Sequence, residues 1–154
     1  MSVTWSLTKA LRDLLSSKLE ASVSIGLPNG MSSGDYVALA VTDPEAAGRP
    51  ASAYTSDFEW ADSVAPTDLK VSGEVSLAIV AVRGDDDLEA ACDAVEAILN
   101  QIDAEVRGAW SSHDLLGVPG LWDLRLSSTE ANTTPLDGAS FAYLLARYTF
   151  QALI

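Results

Sequence analysis

A chain of 154 residues, 48% hydrophobic and 20% charged, has the size and composition of one globular domain, expected to span 1–154. Nine Lys and Arg stand against 22 Asp and Glu, a formal net charge of −13, which excludes DNA binding by phosphate neutralisation. The one cysteine, Cys92, excludes an internal disulfide, and no apolar run approaches the ~18 residues of a membrane span.

The N-terminal stretch mixes charges among its apolar residues and lacks a signal-peptide core, so the chain reads as soluble. Leu7, Leu11, Leu14, Leu15 and Leu19 recur at helical spacing, with Lys9, Asp13, Ser16 and Glu20 outside the stripe and Thr4 as the candidate cap. Lys18 falls on the stripe, where its stem can pack while its ammonium reaches water. "SVSIG" reads as a short strand. "DYVALAVT" is apolar on both alternating sets, as a strand covered on both faces requires.

Residues 43–56, with two prolines and a glycine among small residues, read as a loop. "DFEW" alternates Phe58 and Trp60 with two acids. From Leu69 to Arg83 the strand pattern continues for about 15 residues, roughly 50 Å at ~3.3 Å per residue, which is long for one strand. Its first half alternates polar and apolar, and its second half, "SLAIVAV", is apolar on both faces. That contrast predicts a hairpin, 57–62 against 69–75, projecting from a sheet whose buried strand is 76–83. A projecting hairpin has bare edges, and bare edges recruit partners.

A second helix is predicted over about 87–106. Leu88, Ala91, Cys92, Val95, Ile98, Leu99 and Ile102 form its apolar stripe, which makes Cys92 a small core residue. Next comes a loop, "RGAWSSHDLLGVPG". "LWDLRLS" follows as a half-buried strand with Trp122, Leu124 and Leu126 on one face, then "STEANTTPLDG" as a turn. A closing strand runs over "ASFAYLLARYTFQALI". The order predicts an α+β fold: a mainly antiparallel sheet packed by two helices, with a projecting β-hairpin arm at about 57–75.

Three features invite a chemical reading. Arg83-Gly84-Asp85 resembles an adhesion tripeptide and runs into Asp86 and Asp87. A strand-to-helix junction wants a cap acceptor and negative charge, which accounts for all three aspartates without a ligand; a metal would need oxygens converging from elsewhere. "SSHD", Ser111 to Asp114, collects hydrolase residue types, but adjacent residues do not converge as a triad, and no nucleophile elbow accompanies them. With one histidine the chain lacks a zinc ligand set. The residues therefore predict no enzyme, no cofactor and no metal site. Trp60 and Trp110, large aromatics on segments away from the predicted core, are candidate interface residues instead, whereas Trp122 is expected in the core and Trp5 at the helix start.

The leading amphipathic helix, the strand "GEVSLAIVAVRG", the acidic helix "DDDLEAACDAVEAILNQI" and the closing "FAYLLARYTF" together resemble the tail terminator proteins of long-tailed, siphovirus-like bacteriophages. The likeness is one of element order, length and texture over most of the chain. Segment 43–56 and loop 107–120 are longer than the simplest members need.

The resemblance implies a non-enzymatic virion protein, assembled in the host cytoplasm. It would form a homohexameric ring that caps the tail tube, stops its polymerisation and joins the tail to the head–tail connector or stopper protein. DNA would pass through the ring without specific binding, and no membrane is involved. On this reading Phe58, Trp60, Val64, Leu69, Val71 and Trp110 contribute to subunit or partner interfaces, and Asp85, Asp86 and Asp87 are candidate lumen-facing acids that keep DNA from adhering. Deleting 58–73 is then expected to leave a soluble monomer.

Three alternatives stay open. A head-closure or stopper neck protein shares size, charge and ring formation. A small metal- or carboxylate-dependent enzyme built on Asp85, Asp86 and Asp87 would gain thermal stability from divalent ions. A protein-binding module of the host would stay monomeric at every concentration. A tail tube subunit fits less well, because those read as more uniformly β.

Overall fold

The computed structural model describes residues 2–26, 34–40, 54–60, 69–84, 87–111, 114–136 and 138–154. Ser2 caps the first helix, α1 (Val3–Lys18), its Oγ accepting from the Trp5 amide at 3.4 Å. Thr4, the expected cap, sits one residue inside the helix instead. Fully buried, it hydrogen-bonds the Ser56 hydroxyl. Leu7, Leu11 and Leu15 are completely buried, and removing that surface from water is worth about 1.5–3 kcal/mol each.

Two short strands follow, β1 (Ser22–Ile25) and β2 (Tyr36–Leu39), paired in parallel. Val37 and Leu39 face the main core and Ala38 the opposite side, so β2 is covered on both faces, as its sequence predicts. Ala40, in the left-handed region at φ 60°, ends the strand and donates its amide to the Ser76 carbonyl.

β3 (Tyr54–Trp60) pairs antiparallel with β4 (Leu69–Gly84) from Tyr54↔Val75 to Trp60↔Leu69. The expected 57–62 partnership with 69–75 is thus present as far as Trp60; residues 61 and 62 lie outside the described residues. β4 is one continuous strand of 16 residues. Its first half does not stand bare, because β6 (Ala139–Leu153) pairs with β4 along 70–84 while β3 and β2 sit end to end on the other edge. Residues 69–75 are therefore paired on both sides, and among the described residues it is β3 that pairs on one side only at this end of β4. The deletion 58–73 would remove part of a central strand with core residue Val71, so it is expected to unfold the chain rather than release a monomer.

The second helix, α2 (Leu88–Gly108), buries Ala91, Val95, Leu99, Ile102 and Val106 on the same sheet face as α1, while Cys92 packs half-buried at the core's margin. After a 3₁₀ turn at Leu115–Gly117, β5 (Leu121–Leu136) pairs antiparallel with β6 over most of their lengths. Two predictions change here. The segment expected to turn at 128–138 is strand through Leu136. And a bulge between Leu121 and Asp123 inserts an extra residue, so Leu121 enters the core while Trp122 turns out and is 48% exposed.

The sheet order is β1-β2-β4-β6-β5, with β3 also on β4, so the α+β prediction holds with one parallel pair. Both helices cover one face, where alternate residues of β4 and β6 supply Val75, Leu77, Ile79, Leu144, Tyr148 and Phe150. Ala38, Ala78 and Leu145 form a smaller buried cluster on the other face, against Tyr36.

Candidate interaction surface

Strand register carries the exposed apolar residues to one end of the sheet. Phe58 stands opposite Val71, which pairs with Ala152, which pairs with Leu121. One step outward, Trp60 stands opposite Leu69, whose amide and carbonyl exchange hydrogen bonds with Ile154 at 3.0 and 2.9 Å. Phe58 is 64% exposed and Trp60 58%, and Trp122, Leu153 and Ile154 are exposed beside them. Five large apolar side chains thus share one end of a small sheet, Phe58 and Trp60 toward the helix side and Trp122 and Leu153 toward the other face. Such groups scattered singly need no explanation, but a cluster of them marks a surface that a partner covers.

Under this rim, on the sheet face without helices, lies a concavity of about 640 Å³ between Asp57, Glu59, Lys70, Ser72, Trp122, Gln151 and Leu153. Among the described residues Lys70, directly across from Glu59, is the sole cation lining it, so that lining carries net negative charge. Polar residues continue along the face through Glu74 and Arg147, 3.6 Å apart, and Glu130, 3.5 Å from the same guanidinium.

The other sequence candidates are distributed differently. Leu69 is half-buried at the rim, whereas Val71 is 2% exposed and belongs to the chain's own core, so its side chain is not available to a partner. Trp110, 68% exposed, follows the C-terminus of α2. Val64 lies outside the described residues. The sequence reading missed Trp122, Leu153 and Ile154. Two consecutive apolar residues closing an alternating strand were the available signal for the last pair; the bulge that turns Trp122 outward leaves no mark in composition.

At the opposite end of β4, the Arg83 guanidinium grips the Asp35 carboxylate through two hydrogen bonds of 2.6 and 2.8 Å, and this partner holds its pKa above the usual arginine value against the opposing effect of burial. The arginine of Arg83-Gly84-Asp85 is thereby engaged within the chain. Asp87 occupies the cap position of α2 and is exposed, but its carboxylate makes no capping hydrogen bond; its amide donates to Ser140 Oγ at 3.1 Å. The capping expectation is corrected there to proximity of charge alone. Asp85 and Asp86 lie outside the described residues, as do Ser112 and His113. Asp114 of the same tetrad accepts the Gly120 amide at 2.8 Å, a bond that shapes the loop. Among the described residues, no three His, Cys, Asp or Glu side chains stand together as a metal site would require.

No family model matches the sequence, and no curated protein matches it. Among solved structures, the chain is similar to one from a structure titled "Virion of native gene transfer agent (GTA) particle", with a TM-score of 0.52, 17% identity and 98% of each chain covered. The likeness is one of fold. At that identity it speaks to the helix–sheet arrangement over nearly the whole length and leaves the role of this chain to its own surface.

Proposed function

We propose that the protein is a structural component of a phage-like particle, a tail terminator whose copies close into a homohexameric ring. The observation that carries this reading is the cluster of Phe58, Trp60, Trp122, Leu153 and Ile154, exposed at one end of the sheet beside strands with open edges. A chain that leaves this much apolar surface uncovered is built to be covered by neighbours. The whole-length fold likeness to a chain from a gene transfer agent virion supports the same class of role. In the ring, the rim contacts adjacent copies and the end of the tail tube, and the other end meets the head–tail connector. Asp87, exposed at the β4–α2 junction, is the described member of the acidic run proposed to face the lumen, where negative charge keeps passing DNA from adhering.

Light scattering on the purified protein is expected to give six copies per particle, and electron microscopy to find the protein on the open end of tail tubes. Binding only to connector complexes would transfer the assignment to a head-closure protein. A monomer at every concentration would sink the ring. Phe58→Ser with Trp60→Ser is the suitable disrupting variant, since both side chains are exposed and the fold does not depend on them.

A further inference from the structure

We propose that the ring closes by continuing the sheet: β3 of one copy adds antiparallel to the outer edge of β5 in the next. This rests on the ring reading and names the surface that makes it. Among the described residues, β5 pairs only with β6 and β3 only with β4, so each presents an unpaired edge. Past the bulge at Leu126/Ser128, β5 pairs with β6 without interruption to Leu136, and residues 127–133 are exposed. That stretch, "SSTEANT", holds one charge and neither lysine nor proline, the residues that ordinarily blunt an open edge.

Three geometric facts suit β3 as the occupant, and the last sets it apart from β1, a four-residue strand that runs the same way and is also paired on one side only among the described residues. The first is direction. β4 and β5 both run antiparallel to β6, and β3 runs antiparallel to β4, so β3 runs opposite to β5. A rotation about an axis along the strands preserves direction, which brings β3 of a neighbour antiparallel to β5. The second is face. Thr129, Ala131 and Thr133 stand opposite Ala146, Leu144 and Ala142, which point toward the helices; Phe58, opposite Val71, points to that same side, as does Trp60. The third is size. In a continued sheet the two exposed aromatics of β3 fall on a row of exposed small residues, large against small, as cross-strand packing favours. A heterologous contact of this kind, repeated by rotation, closes a ring.

Cysteine pairs test it, in a Cys92→Ala background. Glu59→Cys, which leaves both aromatics of β3 in place, is combined in turn with Ser128→Cys, Glu130→Cys and Asn132→Cys, since directly opposed residues of antiparallel strands lie within disulfide reach. At least one combination is expected to give, on oxidation, a non-reducing ladder of covalent multimers ending at the ring, while each single variant and the opposite-face pair of Glu59→Cys with Ala131→Cys give none. Thermal melting confirms that each variant is folded. Absence of any ladder from folded variants that light scattering shows to be oligomeric overturns the strand pairing and leaves the ring standing. A ladder stopping at dimers overturns it too, because that contact is isologous. Wild-type protein that is monomeric throughout removes the ring itself. Separately, Ala131→Lys is expected to raise the concentration needed for assembly at least tenfold; an unchanged value counts against the β5 edge.

Discussion

Single polar contacts anchor the helices and the sheet's far end, and two of them make quantitative predictions. The buried Tyr148 hydroxyl donates to Asp103 on α2 at 3.2 Å, tying sheet to helix. Burial, reinforced by the Asp103 carboxylate, holds its pKa well above the usual phenolic value of 10.0. The folded state thus keeps this proton where the unfolded chain loses it. Tyr148 contributes its full stability below pH 10 and loses it as pH rises toward the folded-state value. Tyr148→Phe is expected to cost about 1 kcal/mol at neutral pH, and denaturant unfolding should show the gap to wild type narrowing above pH 10. Arg83 makes the second case. Arg83→Lys keeps the charge but loses the two-pronged grip on Asp35, so a loss of about 1 kcal/mol is expected in the same assay. An Arg83→Lys protein as stable as wild type would mean that charge alone holds this junction.

The elements differ in how plainly their residues announce them. The leucine spacing of α1 and the apolar stripe of α2 specify helices because period 3.6 admits one buried face, and the closing strand alternates Ala142, Leu144, Ala146, Tyr148, Phe150 and Ala152 into the core. β5 beyond Leu126 was not legible. Over 127–133 it is an edge strand exposed on both faces, so neither set of side chains carries a hydrophobic signal, and its serines and threonines read as turn. Phe58 and Trp60 were recognisable as candidates, but which half of β4 lay bare was not, because a strand paired on both edges with one wet face alternates just as a free hairpin does. Gly73 shows what the sequence withholds. A side chain added there would collide with the Thr55 carbonyl oxygen of β3, so the two backbones approach closely at this point. Gly73→Ala is expected to cost roughly 1–3 kcal/mol by calorimetry and to loosen β3, whose amides should then exchange faster than those of β4. Equal exchange in both strands would mean the sheet absorbs the methyl group without moving β3.

For the whole molecule, charge and association pull against each other. Each copy carries a formal charge of −13, and the face bearing Asp57, Glu59, Glu74 and Glu130 adds local acid near both strand edges proposed to meet. Bringing such copies together costs repulsion, which the burial of Phe58, Trp60 and their neighbours must exceed. Salt acts on the repulsion and leaves the burial term in place. The screening length falls from ~30 Å at 0.01 M to ~3 Å at 1 M, weakening repulsion while leaving apolar burial intact. Assembly followed by light scattering is therefore expected to strengthen with ionic strength, monomer dominating in dilute buffer and rings in 0.5 M salt at the same protein concentration. The opposite trend, rings dissolving as salt rises, would show that ion pairs rather than aromatic burial hold the copies together, and would move the search for the interface from the rim to the few cations, such as Arg125 and Lys18, that stand exposed on the surface.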